Sequence, residues 1–290
     1  MRVLTWNLWW RHGPWRRRQP AIAAALAQLA PDICGLQEVW GRAPAGPGEP
    51  SDSAVVTDQP PDDNLAAALA QQLGMHWCWA GRPRVAGRAD DAGYWFGNAI
   101  LSRWPITDPA QTPLPVPAGQ QQRLVLHGAI AAPAGRLPFF TTHFSHPAGA
   151  SAQRVAQART VAGFVATHSR PDDPYPPVVT GDLNAEPDSD ELRLLGGVHT
   201  APAAPGVVLL DTWRFAATDA AGATWSHRNP YLADDPYPDA RIDYLLVGVA
   251  RAGRGRVRSV QRVGDTPVAL PGDPEVWASD HFGVSADLAD

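Results

Sequence analysis

The sequence contains no lysine: all 24 of its lysine-plus-arginine positions are arginine. Alanine, glycine and proline are abundant, which matches GC-rich codon usage, so the arginine preference does not by itself announce a function. The formal net charge is −5, and no broad positive footprint for nucleic acid is present. A local arginine patch could still serve one. Cysteine is equally sparse: Cys34 and Cys78 are the only two, in apolar surroundings and without metal-type spacing. Two buried free thiols are expected rather than a disulfide. Apolar runs long enough to span a bilayer are missing, so no membrane span is expected. The opening residues MRVLTWNLWW enter a strand pattern at once, with no secretory-type apolar segment or cleavage site. A cytoplasmic location is the expectation.

What is there is a globular composition of 44% hydrophobic and 18% charged residues, over a length ample for a large core. No repeat and no low-complexity linker divides the chain, and one domain over residues 1–290 is expected. Residues 2–8 alternate as a strand, 19–29 read as a helix ended by Pro31, and 33–38 as a buried strand. That strand–helix–strand unit favours a sheet with helices on its face. A second helix is read in NLAAALAQQLG and a strand in MHWCWAG. Strands follow in GNAILSRWPI, in RLVLHGAIAAP and in LPFFTTH, which ends at His143. Residues 151–169 carry helical periodicity, 178–180 form a short apolar strand and DELRLLG a short helix. ATWSHRNP, RIDYLLVGVA and residues 257–263 read as further strands. The loops at 41–63, 81–94 and 230–240 are candidates for a substrate rim.

Six stretches share one property: an apolar strand ends in a group able to ligate a metal or move a proton. These groups are Asn7, Glu38, His143, the pair Asp182 and Asn184, Asp243, and the pair Asp280–His281. Each has an ordinary structural reading, such as a turn at Asn7 or an ion pair between Asp243 and Arg241. Asp182 and Asn184, two apart after an apolar run, face one side if the segment is extended. Turn chemistry explains them as readily. The recurrence at six strand ends argues for a site.

The ordered set TWN at 5–7, LQE at 36–38, GNAILSR at 97–103, TTH at 141–143, GDLN at 181–184, RIDY at 241–244 and SDH at 279–281 resembles the endonuclease/exonuclease/phosphatase superfamily. The resemblance covers essentially the whole chain. It implies an α+β fold, a four-layer α/β/β/α sandwich of two packed, mostly antiparallel sheets with outer helices. The site would lie at one end, between the sheets.

The resemblance also implies roles. Asn7, Glu38 and Asp280 would hold a metal; their oxygens suit a hard divalent cation, Mg²⁺ or Mn²⁺, rather than zinc. Asp182 would orient and deprotonate the attacking water, with Asn184 holding that water or the phosphate. His281 would contact a phosphoryl oxygen or act instead as the base, with Asp243 fixing its tautomer. His143 would donate to a non-bridging oxygen, and Asn98 would either touch phosphate or close a turn. Trp9 stands where some subfamilies carry a second acid, which favours a site dominated by one cation. His143 stands where some repair endonucleases carry Tyr, which favours phosphodiesterases and phosphatases of lipids, nucleotides or sugars.

His146, His227 and Asn229 could line the pocket, and Trp6, Trp9, Trp10 and Trp95 either stack on substrate or fill the core. The implied function is divalent-metal-dependent hydrolysis of a phosphoester, foremost a phosphodiester of a small molecule or lipid. A nuclease acting on DNA or RNA is the alternative. An inactive scaffold binding a protein partner ranks below both, because no member of the core set is missing.

Overall fold

The computed structural model describes residues 1–43, 54–85, 91–217 and 222–290. In chain order the elements are β1 (Arg2–Asn7), α1 (Trp15–Leu29), β2 (Ile33–Arg42), α2 (Leu65–Leu73), β3 (His76–Pro83), β4 (Tyr94–Ser102), β5 (Ile106–Pro113) and β6 (Leu124–Ala132). Then follow β7 (Gly135–His143), α3 (Ser151–His168), β8 (Val178–Asp182), α4 (Asp190–Gly196), β9 (Leu209–Asp211), β10 (Asp243–Gly248), β11 (Val257–Val263), β12 (Val268–Leu270), β13 (Asp273–Val276) and β14 (Gly283–Leu288).

Two six-stranded sheets carry the fold, ordered β11-β14-β1-β2-β4-β3 and β5-β6-β7-β8-β10-β9. Each is antiparallel except for one parallel pair, β1 with β2 and β7 with β8. A helix crosses over within each parallel connection, as parallel neighbours require. Between the sheets lies an apolar layer in which Val3, Ile33 and Ile100 of the first meet Leu126, Phe139, Val178 and Leu245 of the second. The outer face of the first sheet packs on α1 and α2 through Leu4, Leu36, Ile22, Leu26 and Leu69. That of the second packs on α3 and α4 through Phe140, Val179, Val161 and Leu195. The four-layer order is therefore helices, sheet, sheet, helices.

Several boundaries differ from the sequence reading, each for a local reason. The run GNAILSRWPI is two strands in two sheets. Ser102 Oγ accepts the Trp104 N–H, Pro105 breaks the ladder, and the chain crosses from β4 to β5. ATWSHRNP is not a strand: only Trp225 pairs, with Ala240, while Thr224 Oγ accepts the Ile242 and Asp243 N–H groups. Helix α1 starts at Trp15, four residues before the expected start, and accommodates Pro20 near its N-terminal end. Strand β2 continues to Arg42. Much of the proposed rim at 41–63, residues 44–53, lies outside the described residues, as do 86–90 of the second loop. Cys34 and Cys78 are free and fully buried, and burial raises both thiols. No helix of the described residues is long and apolar enough to cross a membrane.

Candidate active site

Strand register assembles the site before any side chain is considered. On the second sheet, His143 pairs with Asp182 across β7–β8, and Asp243 pairs with Asp182 across β10–β8. Three candidate residues thus stand side by side at one sheet end. On the first sheet, Asn7 at the end of β1 pairs with Gln37 of β2. Glu38 follows in a β-bulge between Leu36 and Val39, with φ 55°. An extra residue in a left-handed conformation is strained for a non-glycine side chain, and such bulges re-aim the chain. Here the bulge accompanies a glutamate that lines the cleft between the sheets.

The remaining loop is clamped from behind. Arg18, fully buried, donates to the carbonyls of Leu8, Trp9, Trp10, His12 and Ala278. Asn229 Nδ2 donates to the Ser279 and Asp280 carbonyls. Ser279 Oγ donates to Asn7 O at 2.7 Å, tying the Asp280–His281 turn to β1. Asn229, considered in the sequence as a pocket residue, is a buried support.

At the centre, Asn7 Nδ2 donates to Asp182 Oδ2 at 3.0 Å and lies 3.4 Å from Glu38 Oε1 and 3.5 Å from His281 Nε2. Its Oδ1 accepts the Trp9 N–H. His281 Nδ1 donates to Asp243 Oδ2 at 3.0 Å, and its Nε2 is 3.8 Å from Asp182 Oδ2. Arg241, the alternative partner for Asp243, instead pairs with Asp211 at 2.7 Å. His143 Nε2 lies 3.3 Å from the same Asp182 oxygen. Asp182 Oδ1 accepts the Asn184 N–H in a turn where Asn184 has φ 47°, and Asn184 Nδ2 donates to Phe144 O. The pair is therefore not one extended face. Asp182 ends the strand, Asn184 sits in the turn, and both line the cleft.

Charge is crowded here. Burial, then the Asp243 charge, pushes Asp182 up to about 7. Burial, with Glu38 adding to it, pushes Asp280 up to about 7. Burial would lower His281, but the charges of Asp243, Asp280 and Asp182 override it and raise the imidazole well above its usual range. His143 is held well below that range by burial and by Arg123. Two buried carboxylates made hard to ionise mark a site short of positive charge, which a bound cation would relieve. Glu38 and Asp280 line the cleft, with carboxylate oxygens that could hold such a cation. The trio Asp182, Asp243 and His281 has ligand atoms within 4.8 Å of one another, but its histidine is already engaged with Asp243.

The cleft is about 930 Å³, and His12, Arg84, Arg123, His146, Trp225 and Tyr237 are among its walls. Trp9 lines it, whereas Trp6, Trp10 and Trp95 are core residues. His227 lies outside the cleft and binds Asp239. Asn98 is buried and donates to Leu124 O, joining β4 to β6 without lining the cleft.

Residues 4–281 match the Endonuclease/Exonuclease/phosphatase family. The chain belongs to that family. Members of the endonuclease/exonuclease/phosphatase family are phosphoesterases and nucleases, and this chain is an enzyme of that class. A solved family member from Beutenbergia cavernae DSM 12333 is 26% identical, with TM-score 0.67 over 99% of this chain and 71% of that one. A mannosyl-6-phosphatase from Bacteroides thetaiotaomicron VPI-5482 is 20% identical, with TM-score 0.67 over all of both chains. D. rerio TDP2, complexed with a single-strand DNA product, is 18% identical, with TM-score 0.69 over 100% of this chain and 99% of that one. No curated protein is a significant match. The expected α+β sandwich and family are thus both found.

Sequence reasoning missed Arg123 and Arg18. Arg123 lies just before β6, is buried, and donates from Nη1 to His143 Nδ1 at 2.9 Å. The available signal was a lone charge joined to an apolar strand. For Arg18 there was none, since it stands in an arginine run that reads as a solvated face.

Proposed function

We propose that the protein hydrolyses a phosphoester, foremost a phosphodiester of a small molecule or lipid, with Mg²⁺ or Mn²⁺ as cofactor. The observation that carries this reading is the convergence on Asp182 Oδ2 of Asn7, His143 and His281 from both sheets. A carboxylate made basic by burial, beside two imidazoles of opposite protonation preference, is equipped for proton transfer near neutral pH.

Glu38 and Asp280, with Asn7 through the second lone pair of its amide oxygen, would hold the cation. When bound, it polarises a phosphoryl oxygen and offsets charge on the leaving group. Asp182 accepts the proton of the attacking water, and the Asn184 turn fixes that carboxylate. Asp243 holds His281 with Nε2 toward the reacting group, where the imidazolium stabilises a phosphoryl oxygen. His143 Nε2–H donates to a second non-bridging oxygen. Asn98 contributes indirectly, by anchoring the carbonyl next to Arg123.

The carboxylates Glu186, Asp188 and Asp235 also line the cleft, and they disfavour a long polyanion along that wall. This favours a compact substrate over DNA or RNA. The test is hydrolysis of bis-p-nitrophenyl phosphate and p-nitrophenyl phosphate with EDTA, Mg²⁺ or Mn²⁺, alongside His281→Ala. Metal-dependent release, faster for the diester and lost in the variant, is expected. Release that is indifferent to EDTA or survives in His281→Ala would overturn the mechanism. A preference for the monoester would overturn the diester assignment alone.

A further inference from the structure

The two nitrogens of His143 face opposite demands. At Nδ1 two groups compete: the Arg123 guanidinium at 2.9 Å and the Glu38 carboxylate at 4.0 Å. Arginine donates hydrogen bonds and cannot accept one. Nδ1 must therefore carry a lone pair toward Arg123. At 4.0 Å the carboxylate is beyond hydrogen-bond reach. At the other end, Nε2 faces the acceptor Asp182 Oδ2 at 3.3 Å, which calls for an N–H there. Both ends select the same tautomer.

Arg123 is itself built in for this task. It is 6% exposed, its guanidinium lies 5.1 Å from the Phe96 ring, and it lines the cleft. Among the described residues no carboxylate lies within ion-pair distance of it. The nearby charges of Glu38 and Asp182 only partly offset the cost of its burial. A desolvated cation directed at a neutral ring nitrogen is costly when no carboxylate pairs with it.

We propose that Arg123 is a positioning residue that fixes His143 as the neutral Nε2–H tautomer, so that His143 donates to the phosphoryl group and leaves Glu38 to the cation. The proposal gives a use to the His143 donor role on which the proposed function rests. Without Arg123, an Nδ1–H can turn to Glu38, and the imidazole loses its donor toward the cleft. One residue thus supports both a hydrogen-bond donor and a carboxylate that would hold the metal. The effect travels through a tautomer and needs no direct contact between Arg123 and substrate.

The test reads the tautomer directly, by long-range ¹H–¹⁵N correlation of the histidine side chains at about pH 8, with His143 assigned through His143→Gln. Wild-type protein is expected to show a lone-pair Nδ1 and a protonated Nε2. Arg123→Met should mix or invert that pattern, while Arg123→Lys, which keeps a cationic donor, should restore it. In turnover, Arg123→Met is expected to lower kcat about 10²-fold, as for loss of one preorganised donor, with a smaller change in KM. Arg123→Lys should recover most of that loss. An unchanged His143 tautomer in a folded Arg123→Met protein would overturn the proposal, whatever the activity. If Arg123→Met does not fold, an inverted His143 pattern in wild-type protein would overturn it equally. If the wild-type enzyme hydrolyses no phosphoester, the functional reading fails while the spectra still decide the role of Arg123.

Discussion

Asp243 Oδ2 accepts a hydrogen bond of 3.0 Å from His281 Nδ1, and the two residues belong to different sheets. Asp243 opens β10 of the second sheet, while His281 lies in the turn before β14 of the first. The bond therefore exists only when the sheets are packed face to face. Site geometry and core packing are the same event here. A carboxylate so placed fixes the ring and stabilises its cationic form. Its Oδ1 has no partner among the described residues, so the hydrogen bond to His281 carries the role of the side chain.

Asp243→Asn keeps the shape but removes the charge. We expect a kcat lower by about 10²–10⁴-fold, with KM little changed and the fold retained. Steady-state kinetics across pH, with circular dichroism as the fold control, checks this. Near-wild-type kcat would show that the imidazole works without its carboxylate.

Glu38→Gln keeps a ligating oxygen but not its charge. The Mg²⁺ concentration for half-maximal activity should rise at least about tenfold, while kcat at saturating metal falls less. Metal titration of turnover reads both quantities. An unshifted midpoint would place the cation elsewhere, with the trio Asp182, Asp243 and His281 the next set to examine.

The strand ends were legible in the sequence because a polar group closing an apolar run is conspicuous. His143, Asp182 and Asp243 could be named singly, and the sheet register then placed them together. The bulge at Glu38 was not legible, because the polar pair Gln37–Glu38 after an apolar run reads as the end of a strand, whereas β2 continues to Arg42. Nor was the crossing between sheets at 103–105: Pro105 marks a break in the ladder, but nothing in the composition shows that the chain changes sheets there. Arg123 escaped because its meaning lies in a partner 20 residues away on a neighbouring strand. Hydrophobic periodicity records which face is buried, and it says little about which side chains meet across a packed interface.

Gly35 of β2 packs directly against Thr180 and Thr141 of the second sheet. A Cβ there would collide with Thr180 Oγ1 of β8 and crowd Thr141 of β7. Gly35→Ala should therefore destabilise by about 1–3 kcal/mol through overpacking, read as a lower urea midpoint. Adding Thr180→Ala removes the colliding oxygen and should recover part of the loss. Additive destabilisation in the double variant would show that the two positions do not touch.

Part of the acid sensitivity should trace to a histidine outside the site. His127 is fully buried among the rings of Phe140, Phe164 and His168, and its Nδ1 donates to Phe139 O at 3.1 Å. Burial, assisted by His168, pushes its pKa down to about 3. The unfolded chain protonates His127 near pH 6.5. Between that value and the native pKa the unfolded state binds a proton that the native state does not, so stability falls as pH falls. At about pH 5 this group alone should lower stability by about 2 kcal/mol relative to pH 8. His127→Phe removes the titration but sacrifices one hydrogen bond, about 1 kcal/mol. The variant should be the less stable protein at pH 8 and the more stable one at pH 5. Urea denaturation at both values decides the matter. Curves that stay parallel would mean that His127 is not held neutral by its burial.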